Sequence, residues 1–214
     1  MKRILLALAV LSASTLAQNA QQPTPPATVT TLVNFHKSAA EEPLYGTLVQ
    51  GKDGNLYGTT SLGGTSDLGT VFKLTTTGKL TVLHSFTGTD GQYPEAGVTL
   101  GIDGNFYGMT NYGVNIYGTV FKITRAGALT TLDEFDNTAN GDQPTDTFVQ
   151  GRDGNFYGTT SEGGNGSGII FKVTPRGALT TLHQFVGTDG AQPSDTLVQG
   201  GDGDFYGTTV NRRD

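Results

Sequence analysis

One ten-residue string is written four times along the chain. It reads GKDGNLYGTT at 51–60, GIDGNFYGMT at 101–110, GRDGNFYGTT at 151–160 and GGDGDFYGTT at 200–209, so the starts lie 50, 50 and 49 residues apart. The rest of the unit keeps the same period. GTVFKLT at 69–75 returns as GTVFKIT at 118–124 and GIIFKVT at 168–174. GKLTVLHSF at 78–86 returns as GALTTLDEF at 127–135 and GALTTLHQF at 177–185, with an early copy, ATVTTLVNF, at 27–35. A polar loop with one proline follows each of these (Pro43, Pro94, Pro144, Pro193), and then a short apolar run: TLVQG at 47–51, VTLG at 98–101, TFVQG at 147–151 and TLVQG at 196–200. Self-similarity at this period means structural units that are stable only when stacked on one another.

Within each unit, four short runs rich in β-branched and aromatic residues are divided by DG, GG and TG turn signals, which predicts strands joined by tight turns. Glycine supplies 32 of the 214 residues, and at that frequency long helices are disfavoured. In the third unit TFVQG leads through Asp153-Gly154 to NFYGTT, then through SEGGNGSG to IIFKVT, then through PRG to ALTTLHQF, a four-stranded antiparallel meander. Four-stranded units of about this length, apolar on both faces, fit the blades of a β-propeller. The predicted class is therefore all-β, a propeller-like array read from inner to outer strand as LVQG, NFYGTT, VFKVT, LTTLHQF. A β-solenoid competes, but it favours shorter coils and parallel strands, whereas the DG turns favour antiparallel pairing. Gly54, Gly104, Gly154 and Gly203 are expected at positive φ in these turns. The rings of Tyr57, Tyr107, Tyr157 and Tyr206 are expected to lie over the neighbouring unit, since a strand glycine beside each marks a close approach.

By this phase the chain holds one orphan outer strand at 27–35, three full blades and two strands of a fourth. The expectation is an incomplete array, a fragment or truncated product, with self-association through open strand edges as the alternative.

The expected domain organisation is a signal peptide at 1–17, a Pro-rich linker at 18–27 and the repeat domain at 28–214, in units of about 28–75, 78–124, 127–174 and 177–209. Lys2 and Arg3 precede an apolar run of eight from Ile4 to Leu11 and then small residues to Ala17. That run is too short to span a bilayer, so an exported protein, secreted, periplasmic or at the cell surface, with no membrane span after cleavage, is expected. The chain has no cysteine and must hold itself by burial and strand pairing. Removing Lys2 and Arg3 takes the balance from 13 minus 19 to 11 minus 19, or −8. So acidic a chain argues against nucleic acid as a partner.

Few residues carry recognisable chemistry. Of His36, His84 and His183, the last two share a repeat position held elsewhere by Val33 and Asp133, which marks a peripheral strand site. The Gly-rich SLGGTSDLG and SEGGNGSG separate strands rather than introduce a helix, so no phosphate cradle is expected. The aspartates of GKDGN, GRDGN, GGDGD, GTDGQ and GTDGA are explained by turn formation; a calcium ion needs six to eight oxygens, which one aspartate per turn does not supply. Lys73, Lys122 and Lys172 read as lysines whose stems pack on the blade, with an ion pair to the turn aspartate of an adjacent blade left open. No catalytic, metal-ligating or cofactor-binding residue and no cofactor is assigned. The variable loops HKSAAEE (36–42), TGTDGQY (87–93), DNTANGDQ (136–143) and VGTDGAQ (186–192) would, with the GG loops, line one rim.

The stretches GTVFKLTTTGKLTVLHSFTGTDGQYP and LVQGRDGNFYGTTSEGG resemble the repeat of the GloVer tandem-repeat family, bacterial exported proteins, over about residues 28–209. The resemblance implies a secreted or surface-attached, propeller-like repeat protein and carries over no catalytic residue. The family's C-terminal anchor segment is not matched here. The DGN-aromatic step is also similar to that of exported lyase propellers that inactivate streptogramin antibiotics, though the aromatic is Tyr or Phe, never Trp, and no matching histidine and glutamate pair is found. The function expected is a non-enzymatic binding or scaffolding module for a glycan or protein partner. The alternatives are a hydrolase or lyase with its site at the central channel, and a gene product without function of its own.

Overall fold

The computed structural model describes residues 8–9, 29–35, 40–43, 46–137, 139–144 and 146–210. The expected signal and linker lie outside these residues except for strand β1 (Leu8–Ala9), which pairs antiparallel with β2 (Val29–Thr30).

Three sheets follow at the period of the sequence, each running from inner to outer strand in chain order. The first contains β3 (Val49–Gln50), β4 (Leu56–Thr60), β5 (Thr70–Leu74) and β6 (Leu80–Ser85), the second β7 (Thr99–Leu100), β8 (Phe106–Thr110), β9 (Thr119–Ile123) and β10 (Leu129–Glu134). The third has five strands. β11 (Asp142–Pro144) and β12 (Val149–Gln150) both pair with β13 (Phe156–Glu162), and β14 (Ile169–Val173) and β15 (Leu179–Gln184) complete it. Two strands of a fourth unit close the described chain, β16 (Val198–Gln199) and β17 (Phe205–Tyr206). All pairs are antiparallel, and no helix occurs among the described residues. This is the all-β, propeller-like array of three blades and part of a fourth that the sequence predicts.

The blades are held together by aromatic rings. Tyr57 stacks on Phe106 at 4.1 Å, Tyr107 on Phe156 at 4.0 Å and Tyr157 on Phe205 at 4.1 Å, so three of the four tyrosines lie over the next unit as expected, while Tyr206 is exposed. A second set of contacts repeats nearer the outside. Phe86 meets Phe121 and Phe135 meets Phe171 edge-on, both at 5.3 Å. Such pairs contribute about 0.5–1.5 kcal/mol each beyond their buried area. Most of these rings are almost wholly buried between sheets.

Each outer strand carries a bulge, and in the first two blades the bulge meets the next blade. The β5–β6 register passes from Phe72↔Val82 to Val71↔His84 and leaves Leu83 unpaired; Leu132 and Leu182 are skipped in the same way. The carbonyl of Leu83 then lies against Gly127 and that of Leu132 against Gly177, so close that a Cβ would stand 2.5 Å and 2.6 Å away. A bulge of this kind bends the strand and re-aims its backbone.

The early copy at 27–35 behaves as a fragment of a preceding blade. Only Val29–Thr30 is strand, and its partner is β1 rather than a blade. Yet Phe35 meets Phe72 at 5.3 Å, as Phe86 meets Phe121, and the Leu32 carbonyl lies against Gly78 as that of Leu83 lies against Gly127. The side chains therefore take the outer-strand place even where the ladder is missing.

Candidate functional site

Antiparallel order divides the connections between two rims. One holds the DG turns and the turns joining each third strand to its outer strand. The other holds the GG loops and the longer loops that cross from one blade to the next.

The first rim is uniform. Asp103 Oδ1 accepts the Asn105 backbone N–H at 3.1 Å, and Oδ2 accepts Asn105 Nδ2 and Tyr107 OH at 2.8 Å each. Asp53, Asn55 and Tyr57 repeat the arrangement, as do Asp153, Asn155 and Tyr157. The carboxylate oxygens are thus occupied by their own turn, while Gly54, Gly104, Gly154 and Gly203 take φ of 78–99° as predicted. Burial pulls the Asp103 carboxyl up, but bonds from Asn105 and Tyr107 outweigh it and hold the group below its usual range. Burial, with the bond to Asp53, pushes the Tyr57 hydroxyl up to about 12. Among the described residues Lys122 makes no ion pair; its charge acts on Asp103 of its own blade, and two close His–Asp contacts lie on the other rim. A cleft of about 380 Å³ opens on the turn rim between the first two blades, lined by Lys52, Asp103, Asn105, Thr124 and Arg125.

The loop rim varies. Each crossing loop places a non-glycine residue in the left-handed region at one repeat position: Glu42, Tyr93, Gln143 and Gln192, with φ of 49–54°. These residues tie blades together. The Tyr93 N–H donates to the Leu68 carbonyl at 2.8 Å, and the Tyr93 carbonyl accepts from Asn111 of the next blade at 3.2 Å. Gln192 does the same between Ser167 and Val210. Strain on the order of 1 kcal/mol at such a residue is offset by these bonds.

The two histidines at the shared position each pair with the aspartate of the following loop. His84 Nε2 lies 2.7 Å from Asp90 Oδ2, and His183 Nε2 lies 2.9 Å from Asp189 Oδ2. The other carboxylate oxygens accept the Thr87 and Val186 N–H groups. Between them in sequence the histidine position is Asp133, and there Asn140 caps the loop by accepting the Asp136 N–H at 3.1 Å. The amide keeps the cap without setting two carboxylates against each other. These peripheral pairs hold the loops in place.

Sequence reasoning missed a concentration of carboxylates beside the third and fourth units. Asp142 is directly opposite Glu162 in the β11–β13 pair. It is only 6% exposed, and its Oδ1 has no hydrogen-bond partner. Burial, and then the Glu162 charge, push its carboxyl above the usual range. Asp146 accepts a bond from Thr196 Oγ1 at 3.1 Å, and burial together with the Asp195 charge pushes it up as well. Asp195 in turn accepts from Thr208. Thr159 Oγ1 is buried without a partner, whereas Thr59 in the first blade donates to the Ala96 carbonyl at 2.6 Å. The signal was present as a break in the repeat: the residue five before the glycine that closes each inner run is Gly46, Ala96, Asp146 and Asp195 in turn. Among the described residues no group of three or more His, Asp or Glu is arranged to hold a metal ion, and no helix is long and apolar enough to cross a membrane.

Comparison with known proteins decides the family. The model of the Gloeobacter/Verrucomicrobia repeat matches residues 21–214. The chain belongs to this repeat family. Similar solved structures include virginiamycin B lyase from Staphylococcus aureus, 18% identical with a TM-score of 0.56, covering 77% of this chain and 48% of the lyase. A candidate 6-phosphogluconolactonase from Bacteroides uniformis is 19% identical with a TM-score of 0.52, covering 82% of this chain and 52% of that one. The extracellular domain of a candidate hybrid two-component system from B. thetaiotaomicron is 9% identical with a TM-score of 0.50, covering 78% and 21%. At these identities the likeness concerns the fold alone, and the chain spans about half the length of the first of these structures. No protein of curated function matches the chain. Membership of this repeat family, on this fold, is compatible with a binding module.

Proposed function

We propose that this GloVer-repeat chain is an exported binding or scaffolding module that recognises a glycan or protein partner, in the periplasm or at the cell surface, through its loop rim. The observation that carries the reading is the contrast between rims. Asp–Asn–Tyr turns repeat with little change on one side, while the loops and the residues before the inner strands differ from unit to unit on the other. Where a scaffold repeats and one rim varies, the variation serves recognition. The rim between the third and fourth units offers Asp146, Asp195, Thr196 and Thr208, carboxylates and hydroxyls suited to the hydroxyl groups of a sugar. Screening the purified chain on a glycan array should give hits that Asp146→Ala weakens and that Lys52→Ala, on the opposite rim, leaves unchanged. Hits insensitive to Asp146→Ala would defeat the assignment of this rim.

One observation favours a second reading. Asp146, whose carboxyl is pushed above its usual range by burial and then by the Asp195 charge, stands with Asp195 as a pair of carboxyl groups, the grouping that hydrolases and lyases use for acid–base work. Turnover of a glycan hit, lost in Asp146→Asn, would support an enzyme in place of a binder.

A further inference from the structure

The uniform turn rim departs from its pattern at the cleft of about 380 Å³ between the first and second blades. Small-molecule sites occupy roughly 300–1,000 Å³. The lining comes from separate turns of two blades. Lys52 belongs to the DG turn of the first blade, Asp103 and Asn105 to the DG turn of the second, and Thr124 and Arg125 to the turn between β9 and β10. Two of these residues break the repeat. The place of Lys52 is held by Ile102, Arg152 and Gly201 in the other units, and the place of Arg125 by Thr76 and Pro175. At the next interface the apolar Ile102 covers the turn, its Cδ1 standing 3.6 Å from where a Cβ of Gly154 would be. At the interface after that the Arg152 guanidinium is taken up by the carbonyls of Gly201 and Gly200, at 3.2 and 3.3 Å.

The first interface leaves its cations available. Lys52 Nζ donates to the Ile102 carbonyl at 3.2 Å, which draws the ammonium across to the second blade, and its other N–H groups remain free to donate. The Arg125 charge acts on the Tyr57 hydroxyl of the first blade, so it stands over the same interface from the opposite side. Among the described residues neither cation has a carboxylate within ion-pair distance. The neutral lining adds donors. Thr124 Oγ1 accepts the Ala128 N–H at 3.1 Å and keeps its own O–H, and Asn105 Nδ2 gives one N–H to Asp103 Oδ2 at 2.8 Å and keeps the other. Asp103 is the one carboxylate of the lining; its oxygens accept from its own turn, and the Lys122 charge offsets its own. A chain of net charge −6 thus leaves an ammonium and a guanidinium together on one cleft without partners.

We propose that this cleft is a binding site for a phosphate group, free or at the end of a small ester. Charge decides the class. A phosphate ester carries about −1.5 to −2 near neutral pH and matches Lys52 and Arg125 together, whereas a carboxylate carries a single charge and leaves one cation unmet. Its several terminal oxygens can also meet donors that come from different turns. The Arg125 fork takes two oxygens, Lys52 acts as a point charge, and Thr124 and Asn105 supply neutral hydrogen bonds. This site lies on the rim opposite the one assigned to glycan or protein recognition and shares no residue with it.

The test is calorimetric titration of the full chain with inorganic phosphate, glycerol phosphate and acetate at one fixed ionic strength. Both phosphates should bind saturably, and acetate roughly tenfold more weakly or not at all. Tighter binding of glycerol phosphate than of inorganic phosphate identifies an ester as the ligand, and equal binding identifies free phosphate; either supports the site. Arg125→Gln and Lys52→Gln change exposed side chains, so the circular-dichroism spectrum and Tm should hold while each weakens phosphate roughly tenfold. Arg176→Gln, which removes an exposed arginine from the corresponding turn of the third blade, should leave phosphate binding unchanged. The proposal is overturned by no saturable phosphate binding, by acetate binding as tightly as phosphate, by wild-type binding in a folded Arg125→Gln chain, or by an equal loss in Arg176→Gln, which would mean diffuse charge attraction. The loop-rim reading survives each of these results, because Asp146→Ala tests it separately.

Discussion

Tyr107 and Tyr206 occupy the same step of the same motif and live in different surroundings. Each donates its hydroxyl to the aspartate four residues earlier, at 2.8 Å and 2.6 Å. Tyr107 is 0% exposed and Tyr206 is 56% exposed. The turn therefore forms from its own few residues, whereas burial comes from the blade on the far side. In the second blade Phe156 stacks on Tyr107 and Phe121 covers Gly108; in the fourth unit no described residue does either for Tyr206 and Gly207. Local hydrogen bonds make this fold specific, and inter-blade apolar contact makes it stable.

The largest test of that division is a matched pair of truncations. Tyr107→Ala removes a buried ring and its stack on Phe156, at a cost of about 3–5 kcal/mol. Tyr206→Ala removes an exposed ring and should cost below about 1 kcal/mol. Urea titrations read both, and equal losses would break the comparison. Glycine gives a smaller and sharper version. A Cβ on Gly108 stands 2.5 Å from the Phe121 ring, so Gly108→Ala forces the ring or the backbone to move and costs about 1–3 kcal/mol. Gly207→Ala meets only the flexible end of Leu197 and should leave the urea midpoint nearly unchanged.

What the sequence made legible follows the same line. The period, the strand order, the positive φ of Gly54, Gly104, Gly154 and Gly203 and the stacking of Tyr57, Tyr107 and Tyr157 on the next unit were readable because each is set within a few residues or by the repeat itself. The bulged Leu83 and Leu132 were not, since a bulge is a property of two strands in register and leaves no mark on the pattern of apolar residues. β11 was read as loop because Asp142, Gln143 and Pro144 have no strand propensity; their pairing is imposed by the end of β13. Asp146 and Asp195 looked unrelated at a separation of 49 residues until the stacking of units set one against the other.

The finest distinction lies between two aspartates, one on each rim, whose charges act on stability in opposite directions. Asp103 is held below its ordinary pKa, burial being outweighed by bonds from Asn105 and Tyr107, so its folded form favours the carboxylate. Its contribution is present above an unfolded value of about 3.9 and is lost as pH falls through the lower folded value. Asp142 is pushed the other way by burial and by Glu162, so its folded form favours the acid; its contribution is present below the unfolded value and is lost as pH rises through the folded one. Asp103→Asn should therefore lower Tm at pH 7, and this effect should shrink as pH falls below the unfolded value of about 3.9. Asp142→Asn should raise Tm at pH 7 by the equivalent of a few tenths to about 1 kcal/mol, the scale for like charges set opposite each other in a sheet, and do nothing near pH 3. Thermal scans across that range on both variants read the two signs directly. A Tm gain in Asp142→Asn that persists at pH 3 would mean that the side chain acts through packing, and the rim carboxylates would then lose their claim to perturbed chemistry.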